Sequence, residues 1–395
     1  MALVSLSLLV LMHLGWSGPQ QKTDGEVRSE RLAATIGASF ARFQFAADRP
    51  GKPVICVSLH RADATDSVLE RLTSFSELEG LEVMDYISGI GGREDWRVTD
   101  AGAANLRKLK RLHRLFLPSM KITDAGLAVL ADMPQLQELA IGNPSGYVIP
   151  GKQKVLPSEE IRVADITDAG LEQLARLPRL HSLTLFGTRV TNDGLKLLPQ
   201  FKELRHLTIY LIDGGLTERG FVNLAKLHAL QSLTIIDFVP SSSNSMTAGL
   251  AELTTLRALE ALSITSLRVH DYSLESIGRL ARLKNLSLSH GIATMPVTDA
   301  GLEHLQGLSD LLSLRLGILS ISDKGLNYMS RLSKLENIDV SSLTSTTISD
   351  SGLQQLSRLS HLMAIKLPLG GGVTSKGLEQ LRKSLPDLTI LDPSP

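Results

Sequence analysis

One short phrase recurs along the whole chain. Val98-Thr99-Asp100-Ala101-Gly102 returns as Ile122-Thr123-Asp124-Ala125-Gly126-Leu127 and as Ile166-Thr167-Asp168-Ala169-Gly170-Leu171. It returns again as Val190-Thr191-Asn192-Asp193-Gly194-Leu195 and as Val297-Thr298-Asp299-Ala300-Gly301-Leu302, with looser copies from Thr65, Thr217, Thr247, His270, Ser322, Ser349 and Thr374. Successive copies from Thr99 onward begin 23–30 residues apart, with a single step of 44. A fixed period in this range means one supersecondary unit repeated and stacked, each unit burying the apolar face of its neighbour.

Each copy has two halves of different periodicity. Leu180-x-x-Leu183-x-Leu185 is matched at Leu112, Leu136, Leu204, Leu283, Leu311 and Leu335, and alternating apolar residues mark a short strand with one buried face. Gly126-Leu127-x-x-Leu130 has helical spacing instead. In the phrase between them, Thr or Ser can cap a helix by accepting an orphan amide proton, and Asp suits the positive helix end. The glycine then permits close approach of a neighbouring helix or backbone. The aspartates are therefore structural, not catalytic.

These residues resemble the bacterial leucine-rich-repeat proteins of the T-D-A-G-L type, whose repeats are similar to those of ribonuclease-inhibitor-like and F-box-associated proteins. The resemblance covers Thr65 to Asp392. It implies an α/β horseshoe-shaped solenoid with parallel strands on the concave face and short helices on the convex face. It also implies a binding scaffold, of unspecified target. One departure is that the asparagine which often follows the strand is replaced by residues such as Met120, Thr188 and Ile212.

Three segments follow from this. Residues 1–18 hold the apolar run Ala2 to Leu14, which suits a signal peptide or an N-terminal anchor; about 20 apolar residues would be needed to span a bilayer. Residues 19–52 form a linker and a capping helix, Glu26 to Phe45, covering the first strand, Val54 to Leu59. Residues 53–395 form about 11–12 repeats ending in a strand at Leu388 to Leu391. The apolar start makes secretion or residence in the cell envelope the expected location, with the cytoplasm as the alternative.

Composition narrows the function classes. Lys+Arg and Asp+Glu are both 41, so no broad positive field draws nucleic acid or an anionic membrane. The lone Cys56, within an apolar run, cannot form an internal disulfide or a thiolate metal cluster and reads as a buried strand residue. Metalloprotease, hydrolase-elbow and P-loop signatures are absent. His113 and His181 share a repeat position but are expected three strands apart, too far for one metal. No enzyme activity, cofactor or metal is expected.

The expected partner is a protein or peptide on the concave face and the looped edge. Outward strand positions form columns. The central one reads Glu82, Phe116, Ala140, Thr184, Thr208, Thr234, Ser263, Ser287, Arg315, Asp339, Lys366, and the next contains Phe186, Tyr210 and Ile236. At about 4.8 Å between strands, Phe186, Tyr210 and Ile236 would form one exposed apolar strip with His206 beside it. Extra residues fall between strand end and the next phrase at Ile87–Arg97, Gly142–Asp165, Ile236–Met246, Ser289–Pro296 and Ser341–Thr347, all on one edge; the longest carries Tyr147. Phe116, Phe186, His206, Tyr210, Ile236 and Tyr147 are thus the candidate partner-binding residues. Alternative readings are a cytoplasmic substrate-receptor adaptor resembling F-box-type ubiquitin-ligase components, and cell-wall glycan binding.

Overall fold

The computed structural model describes residues 24–84, 97–118, 120–142, 164–211, 216–237, 245–266, 269–289, 297–367 and 372–391. The segment read as a signal peptide or anchor lies outside them. Among the described residues no helix is long and apolar enough to cross a membrane.

The strands are β1 Ala41–Phe45, β2 Val54–His60, β3 Gly80–Met84, β4 Arg114–Pro118, β5 Glu138–Gly142, β6 Ser182–Thr188, β7 His206–Leu211 and β8 Ser232–Asp237. They continue as β9 Ala261–Ser266, β10 Asn285–Ser289, β11 Val297–Thr298, β12 Ser313–Ser322, β13 Asn337–Thr347, β14 Ala364–Lys366 and β15 Thr389–Leu391. They join one sheet in chain order; β11 alone lies off this path, paired to β12. From β2 onward the pairing is parallel, Leu to Leu, as in Leu139↔Leu183 and Leu183↔Leu207. Strands about 4.8 Å apart and helices that need about 8–10 Å cannot stack straight, so the sheet takes the inner, concave face.

Each coil closes around aliphatic side chains. In one, Ile166, Leu171, Leu174, Leu177, Leu180, Leu183 and Leu185 are all at most 2% exposed. Burying each such side chain stabilises by about 1.5–3 kcal/mol relative to leaving it in water. The helical segments are short because one coil is one turn of solenoid; Asp124–Leu130 and Asp168–Leu174 are typical. Thr123 caps the first, with its Oγ accepting the Ala125 N–H at 3.2 Å.

The aspartate of the phrase has a second partner, in the next coil. Oδ1 accepts the backbone N–H of the following Thr or Ser, and Oδ2 accepts its hydroxyl. Asp66–Thr99, Asp100–Thr123, Asp124–Thr167 and Asp168–Thr191 show the pair of bonds at 2.6–2.9 Å. Asp271–Thr298, Asp299–Ser322, Asp323–Ser349 and Asp350–Thr374 repeat it at 2.5–3.0 Å. The glycine makes room for this contact: a Cβ at Gly102, Gly126, Gly170, Gly194 or Gly301 would overlap the Oδ1 of the preceding coil's aspartate. At Asn192 the amide oxygen takes the Thr217 N–H at 2.9 Å, and buried Asn223 donates to the Asn192 carbonyl at 3.1 Å. A carboxylate ladder thus joins the coils; in the coil of Met120, its Asp124 lies four residues beyond the position of the missing asparagine.

Two expectations, one about the N-terminal cap and one about an insertion, are corrected. The capping helix runs Asp24–Ile36 and does not reach Phe45; Gly37 at φ 75 ends it, with Ala38 N–H bonded to Ala33 O and Gly37 N–H to Ala34 O. The alternating Ala41, Phe43 and Phe45 then form β1, which pairs antiparallel with β2 and covers the edge a first parallel strand would leave open. Ser341–Thr347, expected as a loop insertion, is strand: β12 and β13 stay paired to Ser322↔Thr347 through register shifts.

Candidate interaction surface

The pairing register reproduces the outward columns read from the sequence: Glu82↔Phe116, Phe116↔Ala140, Ala140↔Thr184 and Thr184↔Thr208 continue to Asp339↔Lys366. At the N-terminal half of this face, β5 presents two small residues, Ala140 and Gly142, after Glu138. Gly142 has φ 102, and a Cβ there would overlap the Phe186 carbonyl oxygen. Across this low strand the rings of Phe116 and Phe186 meet edge to face, centroids 6.3 Å apart. They shield Ala140, which is 6% exposed although it lies on the open face, whereas Phe116 keeps 37% of its surface in solvent. Edge-to-face pairs of this kind contribute about 0.5–1.5 kcal/mol beyond area burial.

The expected strip of Phe186, Tyr210 and Ile236 does not form. β6 bulges at Phe186–Gly187, where Gly187 has φ 50: Leu185 pairs with Ile209, but the next partner is Thr188↔Leu211. Phe186 is thereby displaced from Tyr210 toward Phe116. Tyr210 and Ile236 pair with each other and are only 3% and 4% exposed. At the ends of β7 and β8 the alternation of buried and open positions stops, so both faces are covered. Burial raises the Tyr210 phenol above its ordinary value. Neither residue is an accessible anchor.

His206 is half-buried and meets His181 edge to face at 6.4 Å. Burial first, and the adjacent His181 second, hold His206 below 6.5. Its position beside Ser182 puts it on the same face as the aromatic pair. His113 and His181 are separated by one strand, not by the larger gap expected, because Gln137 N–H bonds to His113 O and His181 N–H to Gln137 O. Among the described residues no group of three His, Cys, Asp or Glu side chains has metal-binding geometry. Tyr147 lies outside the described residues, as do the insertions at 87–96, 143–163, 238–244 and 290–296 except for residues at their margins.

Beyond β7 the face changes character. A shallow recess of about 500 Å³ is lined by Thr234, Ser263, Asn285, Ser287 and Ser313 and closed by Arg315, whose Nε donates to Asp339 Oδ2 at 2.9 Å. The charge ladder expected at Arg315, Asp339 and Lys366 is thus an ion pair plus a neighbouring lysine. Cys56 is buried, its thiol pushed up to about 11 chiefly by desolvation.

No family model and no curated protein sequence matches the chain. Solved structures do. The internalin InlF of Listeria monocytogenes is 18% identical, with 92% of this chain and 93% of that chain covered and a TM-score of 0.45. A chain of the yeast Rad7 and Elc1 complex is 18% identical, over 84% of this chain and 78% of that one, with a TM-score of 0.52. With the parallel one-strand-per-coil register, the likeness to the chain of the Rad7 and Elc1 complex decides the architecture. The fold is a leucine-rich-repeat solenoid. The sequence had pointed to the repeat and to Phe116 and Phe186 as surface residues. It had not pointed to their pairing, which depends on a bulge and on two small residues of β5, nor to the carboxylate ladder. A usable signal for the ladder was present, since Asp recurs directly after nearly every capping Thr or Ser.

Proposed function

We propose that this solenoid is a non-enzymatic scaffold that binds a protein or peptide on its concave strand face, anchored at Phe116 and Phe186. The observation that carries this reading is the aromatic pair of exposed Phe116 on β4 and half-buried Phe186 on β6, meeting across the small residues Ala140 and Gly142 of β5. Aromatic side chains are enriched among binding hot spots, where a rigid apolar anchor loses little entropy. The remainder of the face offers hydroxyls, amides and a few charges, suited to orienting a partner and not to chemistry. The Rad7 and Elc1 structure, a two-protein complex containing this fold, is in keeping with such a role. Export from the cell accompanies this reading and rests on the apolar run Ala2 to Leu14.

The test is proximity crosslinking of the full chain in envelope and extracellular extracts, beside a Phe116→Ser, Phe186→Ser variant whose circular dichroism matches the parent. A crosslinked protein that the variant loses is the expected result. A partner set identical for both proteins overturns the assignment to this face, and recovery only of glycans or of cytosolic ligase subunits overturns the partner class.

A further inference from the structure

Opposite charge gathers at two places on the strand face, around Phe116 and at Lys366, while exposed Arg42 stands apart on the edge strand β1, three strands from Phe116 in the same column. At the first place, Glu82 lies beside Phe116 and Glu138 beside Arg114 in the parallel register. All three charged side chains are half-buried, and none makes an ion pair among the described residues. Arg114 does not neutralise the two carboxylates. Its guanidinium leans across Gly80 toward Cys56, within 3.4 Å of where a Gly80 Cβ would stand, and its shielded Nε has no acceptor. Two negative charges and one positive surround the exposed ring of Phe116, a net charge of −1.

At the second place the sign reverses. Arg315 and Asp339 cancel in their ion pair, which leaves Lys366, the register partner of Asp339, as a net charge of +1. Lys366 makes no ion pair among the described residues. Between the two places, the open positions carry Ser182, Thr184, Thr208, Ser232, Thr234 and Ser263, with His206 beside them and the Tyr210 phenol buried. An uncharged tract with mixed donors and acceptors tolerates many sequences, so direction must come from the two charged places.

From this pattern we infer that the partner is an extended polypeptide segment crossing the strands in one direction, a basic residue over Phe116 between Glu82 and Glu138 and an acidic residue at Lys366. The inference rests on the concave face being the binding surface. A cation over an aromatic ring flanked by carboxylates gains both Coulomb and cation–π attraction. From β4 to β14 the chain order places nine strand steps. At about 4.8 Å each, that separation matches roughly 13 residues of extended peptide.

A displayed library of random 18-residue peptides, selected on the full chain, tests it. Enriched sequences are expected to carry Lys or Arg next to an apolar residue, with Asp or Glu about 10–14 residues away in a constant direction. Selection on Glu82→Lys, Glu138→Lys should invert the first preference and keep the second. Selection on Lys366→Glu should do the reverse, and each reversal should weaken the parental peptides at least about tenfold. Peptides without charge order that still need Phe116 and Phe186 overturn the directional inference and leave the scaffold reading standing. Peptides indifferent to those two phenylalanines overturn both. A library with no enrichment overturns the inference that the partner segment is linear.

Discussion

Asp124 grips the coil that follows it: Oδ1 accepts the Thr167 backbone N–H at 2.8 Å, and Oδ2 accepts the Thr167 hydroxyl at 2.6 Å. The two residues are 43 apart in sequence, whereas Asp100 reaches Thr123 across 23. The joint is the same in both cases. An insertion between strand end and helix start therefore leaves the stack intact, because both sides of the gap are fixed by ladder contacts. This explains how the strand register stays continuous between β5 and β6, on either side of the longest insertion.

Removing that carboxylate should be felt as a lost joint. Asp124→Ala is expected to destabilise by about 2–3 kcal/mol, since it deletes two charge-assisted hydrogen bonds. Asp124→Asn keeps one acceptor and should cost about 1 kcal/mol. Urea unfolding followed by circular dichroism measures both. Equal losses for the two variants would show that the second oxygen contributes nothing.

The ladder glycine and the preceding aspartate should be coupled. At Gly194 the three atoms nearest an added Cβ all belong to the Asp168 side chain. Gly194→Ala should therefore destabilise by about 1–3 kcal/mol through overpacking, against the usual gain of Ala over Gly in a helix. In an Asp168→Ala background most of that penalty should vanish. Strict additivity in this double-mutant cycle would contradict a steric origin.

His206 makes stability depend on pH near neutrality. Burial and His181 hold its folded pKa below 6.5. As pH falls beneath 6.5 the unfolded chain takes up the proton first, so stability is full above that value and declines until the folded pKa is passed. His206→Gln should flatten the difference in urea midpoint between about pH 7.5 and about pH 5. Proton NMR should place the His206 titration midpoint below 6.5, and a midpoint above it would reverse the sign of the effect.

Cys56 should be chemically silent in the folded protein. Its thiol is buried and pushed up to about 11, so very little thiolate exists at neutral pH. Iodoacetamide at about pH 8 should label it only after urea is added, as read by mass spectrometry. Rapid labelling of the native chain would mean that the β2 interior opens readily.

The solenoid was readable from sequence because its core obeys one rule per coil: Leu180, Leu183 and Leu185 recur in kind, and each copy is an independent reading of the same strand. Features that depend on two coils at once were not. Asp168 reads within its own copy as a helix-end charge, and nothing local reveals that its oxygens bind Thr191. Tyr210 and Ile236 sit at alternate outward positions in sequence, but the strand ends there and both sides become covered. The segment Ala41 to Phe45 alternates apolar and polar residues, a period of two that the preceding helical pattern obscured. The aromatic pair required the bulge at Phe186–Gly187 and the lack of side-chain bulk at Ala140 and Gly142, which only the neighbouring strands make meaningful.

The direction of the ladder has a consequence for how such a chain can change length. At each of the eight carboxylate joints the aspartate reaches forward, and the Thr or Ser hydroxyl is claimed from behind. A duplicated or deleted stretch that spans one whole period brings its own acceptor and its own donor, so the severed joint reseals with matching chemistry. A cut at any other phase would strand a charge on one side or a hydroxyl on the other. Growth by complete turns is thus the route that leaves the joints chemically matched.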